Sequence, residues 1–91
     1  MIATVFTKPN CPYCVRAKAL LEQRGVEYEE VPVFVEDAEQ TERNRQSLIE
    51  TVTAVTGTAP RTMPQIFLGA TYIGGFTDLV KHYENVDAAA E

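Results

Sequence analysis

Lys8-Pro9-Asn10-Cys11-Pro12-Tyr13-Cys14 is the stretch on which the reading of this chain turns. It holds both cysteines of the protein, three positions apart. An apolar run, Ile2-Ala-Thr-Val-Phe-Thr7, precedes it, and a helical pattern, Cys14-Val-Arg-Ala-Lys-Ala-Leu-Leu-Glu-Gln-Arg24, follows. A Cys-x-x-Cys at a strand-to-helix junction reads as a redox dithiol. Residues three apart in the first turn of a helix share one face. Their Cα atoms then fall within the separation of about 4.4–6.8 Å that a disulfide requires. Pro12 suits the first helical position, where its fixed φ fits and its missing N–H would have had no partner.

Working outward, Ile2 to Thr7 reads as a buried strand, with Ile2, Val5 and Phe6 supplying the bulk. A first helix runs from about Pro12 to Arg24, its apolar stripe being Ala17, Leu20 and Leu21, and Arg24-Gly25 is a stop signal. Glu27 to Val35 is a second strand pattern, with Pro32 at an edge or an end because it cannot donate to a ladder. The charged segment from Glu36 to Arg45 is a solvated loop or first turn. Asp37-Ala-Glu-Gln40 has capping-box spacing. Leu48, Ile49, Val52 and Val55 recur at helical spacing up to Gly57, giving a second helix over 38–56. A third strand over 63–68 turns at Gly69-Ala70 into a fourth over 71–73. Phe76, Leu79, Val80 and Tyr83 then form the apolar face of a short last helix. Asp78 adds a favourable negative charge in its first turn. The tail, from about residue 85 to Glu91, has nothing to bury and is expected to fray. The sum is one α/β domain over residues 1–91, with a mixed four-stranded sheet and about three helices on both faces.

Ninety-one residues, 45% apolar and without tryptophan, suffice for one modest core. The net charge of −5 argues against a general nucleic-acid binder. No apolar run approaches the roughly 20 residues of a membrane span. The N-terminus has a strand pattern and shows no signal peptide, so a reducing, cytoplasmic setting is expected, where a lone Cys-x-x-Cys points to catalysis. Two cysteines and the distant His82 are too few ligands for a structural zinc site, and no metal is expected.

Three motifs in this order resemble a glutaredoxin of the dithiol type: Cys11-Pro-Tyr-Cys14 after a short first strand, Thr62-Met-Pro64 before the third, and Gly74-Gly-Phe-Thr-Asp-Leu79 opening the last helix. The resemblance spans roughly residues 2–84. It implies a thioredoxin-like fold and glutathione-dependent thiol–disulfide exchange, with glutathione as co-substrate. By the same resemblance Cys11 matches the nucleophile, Cys14 the resolving cysteine and Pro64 a cis-proline facing them. Lys8, Tyr13, Thr62, Met63, Pro64, Gly75, Phe76, Thr77 and Asp78 match positions that hold glutathione. Met63 stands where valine is usual, Phe76-Thr77 replaces smaller or more polar pairs, and the connector from Gly57 to Thr62 is longer than typical.

The chemistry explains the residue types. The reactive species is thiolate, and a helix N-terminus with a nearby cation, Lys8, depresses a cysteine pKa into the range of about 3.5–7.5 seen for such dithiols. Cys11 is expected there; Cys14, one turn in, is not. Glutathione carries two carboxylates and an ammonium. The free N–H groups at Phe76 and Thr77 suit the γ-glutamyl carboxylate, and Asp78 suits the ammonium. Lys8 and Arg61 suit the glycyl carboxylate, and the Met63 backbone suits the peptide. Expected partners are glutathione and disulfide-containing proteins, ribonucleotide reductase among them by analogy, with the protein a monomer. The alternatives are a redoxin reduced by thioredoxin reductase, and a non-enzymatic iron–sulfur or interaction module of the same fold.

Overall fold

A computed structural model describes residues 2–90 of the chain. Its elements are β1 (Ala3–Thr7), α1 (Pro12–Gln23), β2 (Tyr28–Pro32), α2 (Ala38–Thr56), β3 (Gln65–Leu68), β4 (Thr71–Gly74) and α3 (Phe76–Ala90). The strands form one mixed sheet in the order β2-β1-β3-β4. β1 runs parallel to β2 and antiparallel to β3, and β3 runs antiparallel to β4. This is the thioredoxin-like arrangement expected, with helices on both faces. No described helix is long and apolar enough to cross a membrane.

Alternation along β1 divides the core. Ala3 and Val5 point to the face covered by α1 and α3, where they meet Ala17, Leu21, Ile66, Leu68, Leu79 and Tyr83. Phe6 points the other way and packs with Phe67, Val33, Leu48 and Val52 beneath α2. Fully burying a side chain such as Leu21 contributes about 1.5–3 kcal/mol. The bulk expected of Ile2 is not in the core: Ile2 lies before the strand and is 50% exposed, while Ala3, Val5 and Thr7 fill the interior positions. Val55 likewise faces solvent at 58% exposure, because α2 meets the sheet mainly through Leu48 and Val52.

Strand ends differ from the periodicity reading for local reasons. β2 stops at Pro32 because its partner β1 stops at Thr7; the last rung is the Val33 N–H donating to the Thr7 carbonyl. The following backbone is taken over by α2. Asn44 Nδ2 donates to the Val33 carbonyl at 3.2 Å, and Thr41 Oγ1 bonds both the N–H and the carbonyl of Val35. β3 starts at Gln65, two residues late, because the Met63-Pro64 bond is cis and turns the chain there. Asp37 caps α2 by accepting from the Glu39 N–H at 3.0 Å, but no reciprocal box forms: the Gln40 side chain engages Asn44 and Arg43 instead.

The last helix is longer than expected. The chain from residue 85, read as frayed, remains helical to Ala90; Glu91 lies outside the described residues. The tail is held by a charge pair. Arg24, the C-cap of α1, makes two near-parallel hydrogen bonds to Asp87, at 2.7 and 2.6 Å, and lies over the Tyr83 ring, 4.6 Å from its centroid. Three alanines after Asp87 add the highest intrinsic helix propensity.

The hydrogen bond to Arg24 lowers the Asp87 pKa below its ordinary value. The sign of the linkage follows: the anchor is complete above the ordinary aspartate pKa and is lost as pH falls through the depressed one. Measured against the intrinsic amide rate at each pH, which itself slows on acidification, backbone hydrogen exchange of residues 84–90 is therefore expected to become faster, that is less protected, as pH falls through that range. Asp87→Asn is expected to show the fast pattern already at neutral pH, with exchange in α1 unchanged.

Candidate functional site

β1 delivers the chain to the dithiol. After Thr7 the backbone turns through Asn10, which takes a left-handed φ of 55°. Asparagine tolerates that region better than most side chains. The turn places Cys11 as the N-cap of α1 in extended conformation, with Pro12 at the first helical position. In that role the Cys11 sulfur replaces the oxygen of an ordinary cap: the Cys14 N–H donates to Cys11 Sγ at 3.2 Å. The first turn of α1 contains no acidic residue, so nothing on the helix offsets its positive end. The Cα atoms of Cys11 and Cys14 are 5.3 Å apart, and their sulfurs are joined as a disulfide. Cys11 keeps 8% of its surface exposed and Cys14 3%.

One wall beside the dithiol is the turn Thr62-Met63-Pro64. The cis Met63-Pro64 bond brings the Met63 carbonyl oxygen to 3.9 Å from Cys11 Sγ. The facing wall is the start of α3. Between them lies an open cleft of about 290 Å³, lined by Tyr13, Thr62, Met63, Pro64, Gly75, Phe76, Thr77 and Asp78. The structure thus brings the expected contact residues together, Lys8 excepted. Tyr13 and Phe76 stand with ring centroids 6.0 Å apart at one end of the cleft, and the Arg16 guanidinium lies 5.4 Å from the centre of the Tyr13 ring.

Asp78 closes the start of α3 by accepting from the Gly75 N–H at 3.0 Å. The N–H groups of Phe76 and Thr77, in the first turn, have no carbonyl within the helix to bond. Gly74 makes this closure possible. Its φ is 117°, and a Cβ there would stand 2.5 Å from Asp78 Oδ2. Gly75, the glycine singled out from the motif, has ordinary room for a Cβ. The pattern of two adjacent glycines marked the spot; only the backbone shows that the first of them is the constrained one.

Lys8 stands outside that cleft, on two neighbouring hollows. One it shares with Arg45, Arg61, Thr62 and Met63, on the far side of the Thr62-Met63 turn. The other it shares with Cys11, Cys14, Thr7, Lys18 and Glu30. In this second hollow Glu30 accepts from Lys18 Nζ at 3.0 Å and from Thr7 Oγ1 at 2.8 Å. These bonds, the lysine's first, hold its carboxyl below the usual carboxylate range. The Thr7–Glu30–Lys18 group escaped the sequence reading because it depends on the β1–β2 register and on the face of α1 that Lys18 occupies. Among the described residues no three His, Cys, Asp or Glu side chains cluster as a metal site. His82 packs edge-on against Tyr83, with centroids 5.1 Å apart.

With this geometry established, comparison with known proteins is direct. Residues 3–73 match the family model described as Glutaredoxin. The chain is 40% identical to glutaredoxin 3 of Escherichia coli over 75 residues, 82% of this chain and 77% of that protein. It is also 40% identical over 80 residues to the hybrid peroxiredoxin of Haemophilus influenzae, covering 88% of this chain but spanning only 28% of that longer protein. Among solved structures, a buckwheat glutaredoxin–glutathione complex superposes with a TM-score of 0.66 at 27% identity, covering 91% of this chain and 68% of that one. A dithiol capping the first helix, a cis-proline turn against it and a family match over most of the length place this chain in the glutaredoxin family.

Proposed function

We propose that this chain is a glutathione-dependent thiol–disulfide oxidoreductase, with Cys11 as nucleophile and Cys14 as resolving thiol. The observation that carries the glutathione reading is the cleft beside Cys11. It joins an aromatic pair, a cis-proline turn and a helix N-terminus within the reach of one tripeptide. The similar buckwheat protein was solved as a glutathione complex, which supports the same assignment.

In the monothiol route, the Cys11 thiolate attacks the glutathionyl sulfur of a mixed disulfide and expels the substrate thiolate. A second glutathione thiolate then attacks the glutathionyl sulfur on Cys11, releasing glutathione disulfide and regenerating the Cys11 thiolate. In the dithiol route, Cys11 attacks a protein disulfide and forms a mixed disulfide with one half. The Cys14 thiolate attacks the Cys11 sulfur, frees that half as a thiolate and leaves the Cys11–Cys14 disulfide. Two glutathiones then reduce it. The Cys14 N–H and the unopposed positive end of α1 favour the anion on Cys11 whenever it serves as nucleophile or leaving group.

The cleft's parts take complementary shares of glutathione. The γ-glutamyl carboxylate goes to the Phe76 and Thr77 N–H groups, where a helix end favours an anion. The ammonium goes to the free side of the Asp78 carboxylate, and Tyr13 and Phe76 flank the thiol end. The glycyl carboxylate reaches over the Thr62-Met63 turn toward Lys8 and Arg61, which share the hollow beyond it.

Turnover of a glutathionylated peptide, coupled to glutathione and its reductase, tests the assignment. Wild type is expected to saturate with the peptide, and Cys11→Ser to be inactive. Cys14→Ser is expected to retain deglutathionylation while losing reduction of an intramolecular protein disulfide. Loss of both activities in Cys14→Ser would contradict the division of labour. Gly74→Ala strains a positive φ and drives a methyl group into the Asp78 carboxylate. It is expected to raise the KM for the peptide roughly 10-fold by displacing Asp78 at the start of α3, a binding loss of about 1.4 kcal/mol, and to lower the melting temperature through strain at the positive φ. Gly75→Ala is expected to leave the melting temperature nearly unchanged.

A further inference from the structure

Gln65 opens β3 directly after the cis bond and is 3% exposed. A buried amide is destabilising unless bonded, and this one is bonded at both ends. Its Nε2 donates to the Thr62 carbonyl at 2.7 Å, with Thr62 Oγ1 at 3.5 Å. Its Oε1 accepts from the Tyr72 hydroxyl at 2.6 Å. The orientation is forced. A backbone carbonyl only accepts, so the amide nitrogen faces Thr62, the amide oxygen faces Tyr72, and the phenol must donate. Burial raises the Tyr72 pKa, as does the charge of Asp78, which keeps the phenol in its donating form.

This chain of bonds runs from β4 to the turn that forms one wall of the cleft. The Thr62 carbonyl belongs to the same planar peptide as the Met63 N–H. In a trans peptide those two groups point in opposite directions. Anchoring the carbonyl inward on Gln65 therefore aims the Met63 N–H away from the core. The opposite wall begins two residues after Tyr72, at Gly74, just past the bulge where pairing shifts from Phe67↔Tyr72 to Ile66↔Gly74. One short strand thus ties down both walls, one through the Tyr72 hydroxyl and the other through its own backbone.

We propose that Gln65, held by Tyr72, is a positioning residue: it fixes the Thr62–Met63 peptide plane so that Met63 presents its backbone to the glutathionyl peptide. It sets affinity for the glutathionyl group and not the reactivity of the thiol. The proposal rests on the glutathione reading of the cleft and extends it to two residues outside the cleft lining.

The test compares Gln65→Met, Tyr72→Phe and the double variant with wild type. Three quantities are measured: kcat and KM for a glutathionylated peptide at saturating glutathione, and the rate at which iodoacetamide alkylates reduced Cys11. KM is expected to rise roughly 5- to 10-fold in Gln65→Met and roughly 3-fold in Tyr72→Phe, the range of one or two lost hydrogen bonds. The double variant is expected to be no worse than Gln65→Met, because both changes cut one chain. The kcat and the Cys11 alkylation rate are expected to stay within about 2-fold of wild type. An unchanged KM in Tyr72→Phe, which keeps its ring against Phe67, overturns the proposal whether or not Gln65→Met folds. A fall in kcat with KM unmoved, or additive effects in the double variant, overturns it as well. Wild type that reduces protein disulfides but never saturates with the peptide would instead overturn the glutathione reading, and this proposal with it.

Discussion

The Cys14 amide pointing at the Cys11 sulfur, 3.2 Å away, is the contact on which this molecule depends. It makes a cysteine do the work of a helix cap. Sulfur is a poor acceptor when neutral and a good one when charged, so the arrangement is better satisfied by thiolate than by thiol. Everything local serves that placement. β1 ends at Thr7, Asn10 turns the chain with a left-handed φ, and Pro12 starts the helix without wasting a donor. The absence of acid in the first turn of α1 leaves no carboxylate on the helix itself to compete with the sulfur for its positive end.

A reactive sulfur needs something to hold its partner, and on the proposed reading the second half of the fold supplies it. The cis turn at Met63-Pro64 and the start of α3 lie at the two ends of the β3–β4 hairpin, which joins them. That hairpin is short, four residues a strand, so small displacements in it move both walls of the cleft. Buried polar bonding at Gln65 and the close fit of Gly74 against Asp78 are how the hairpin resists such displacement. The same packing layer that builds the core beneath α1 and α3 also carries Leu79, so the helix whose N-terminus faces the cleft is locked at its first turns.

Much of this was legible in the residues. The βαβ start, the span of α2, the Gly69-Ala70 hairpin and the dithiol at the head of α1 follow from caps, glycines and periodicity, which are local signals. What was not legible depends on pairing between distant segments. Burial of Ala3 and Thr7 in place of Ile2 follows from which face of β1 meets which helix layer. Val55 has the right period for a core position, but it is left exposed, lining an open hollow with Phe6 and Phe67. The extension of α3 depends on Arg24, more than sixty positions upstream of Asp87. The Thr7–Glu30–Lys18 group and the Tyr72–Gln65–Thr62 chain are likewise products of register, invisible until strands are aligned. Lys8 fits the motif by position, yet it sits beside the cleft and not in it.

The most direct measurement of the central claim is alkylation of the fully reduced protein by limiting iodoacetamide, with the label located by mass spectrometry and the rate followed from about pH 7 to pH 9. If the Cys11 sulfur caps the helix as a low-pKa thiol, the label falls on Cys11 and its rate rises no more than about 4-fold across that range, because a thiol with a pKa no higher than about 7.5 is already at least about a quarter ionised at the lower limit. Equal labelling of Cys11 and Cys14, or a Cys11 rate that rises roughly 25-fold between pH 7 and pH 9, as that of a thiol with the ordinary pKa of about 8.5 does, would contradict the account.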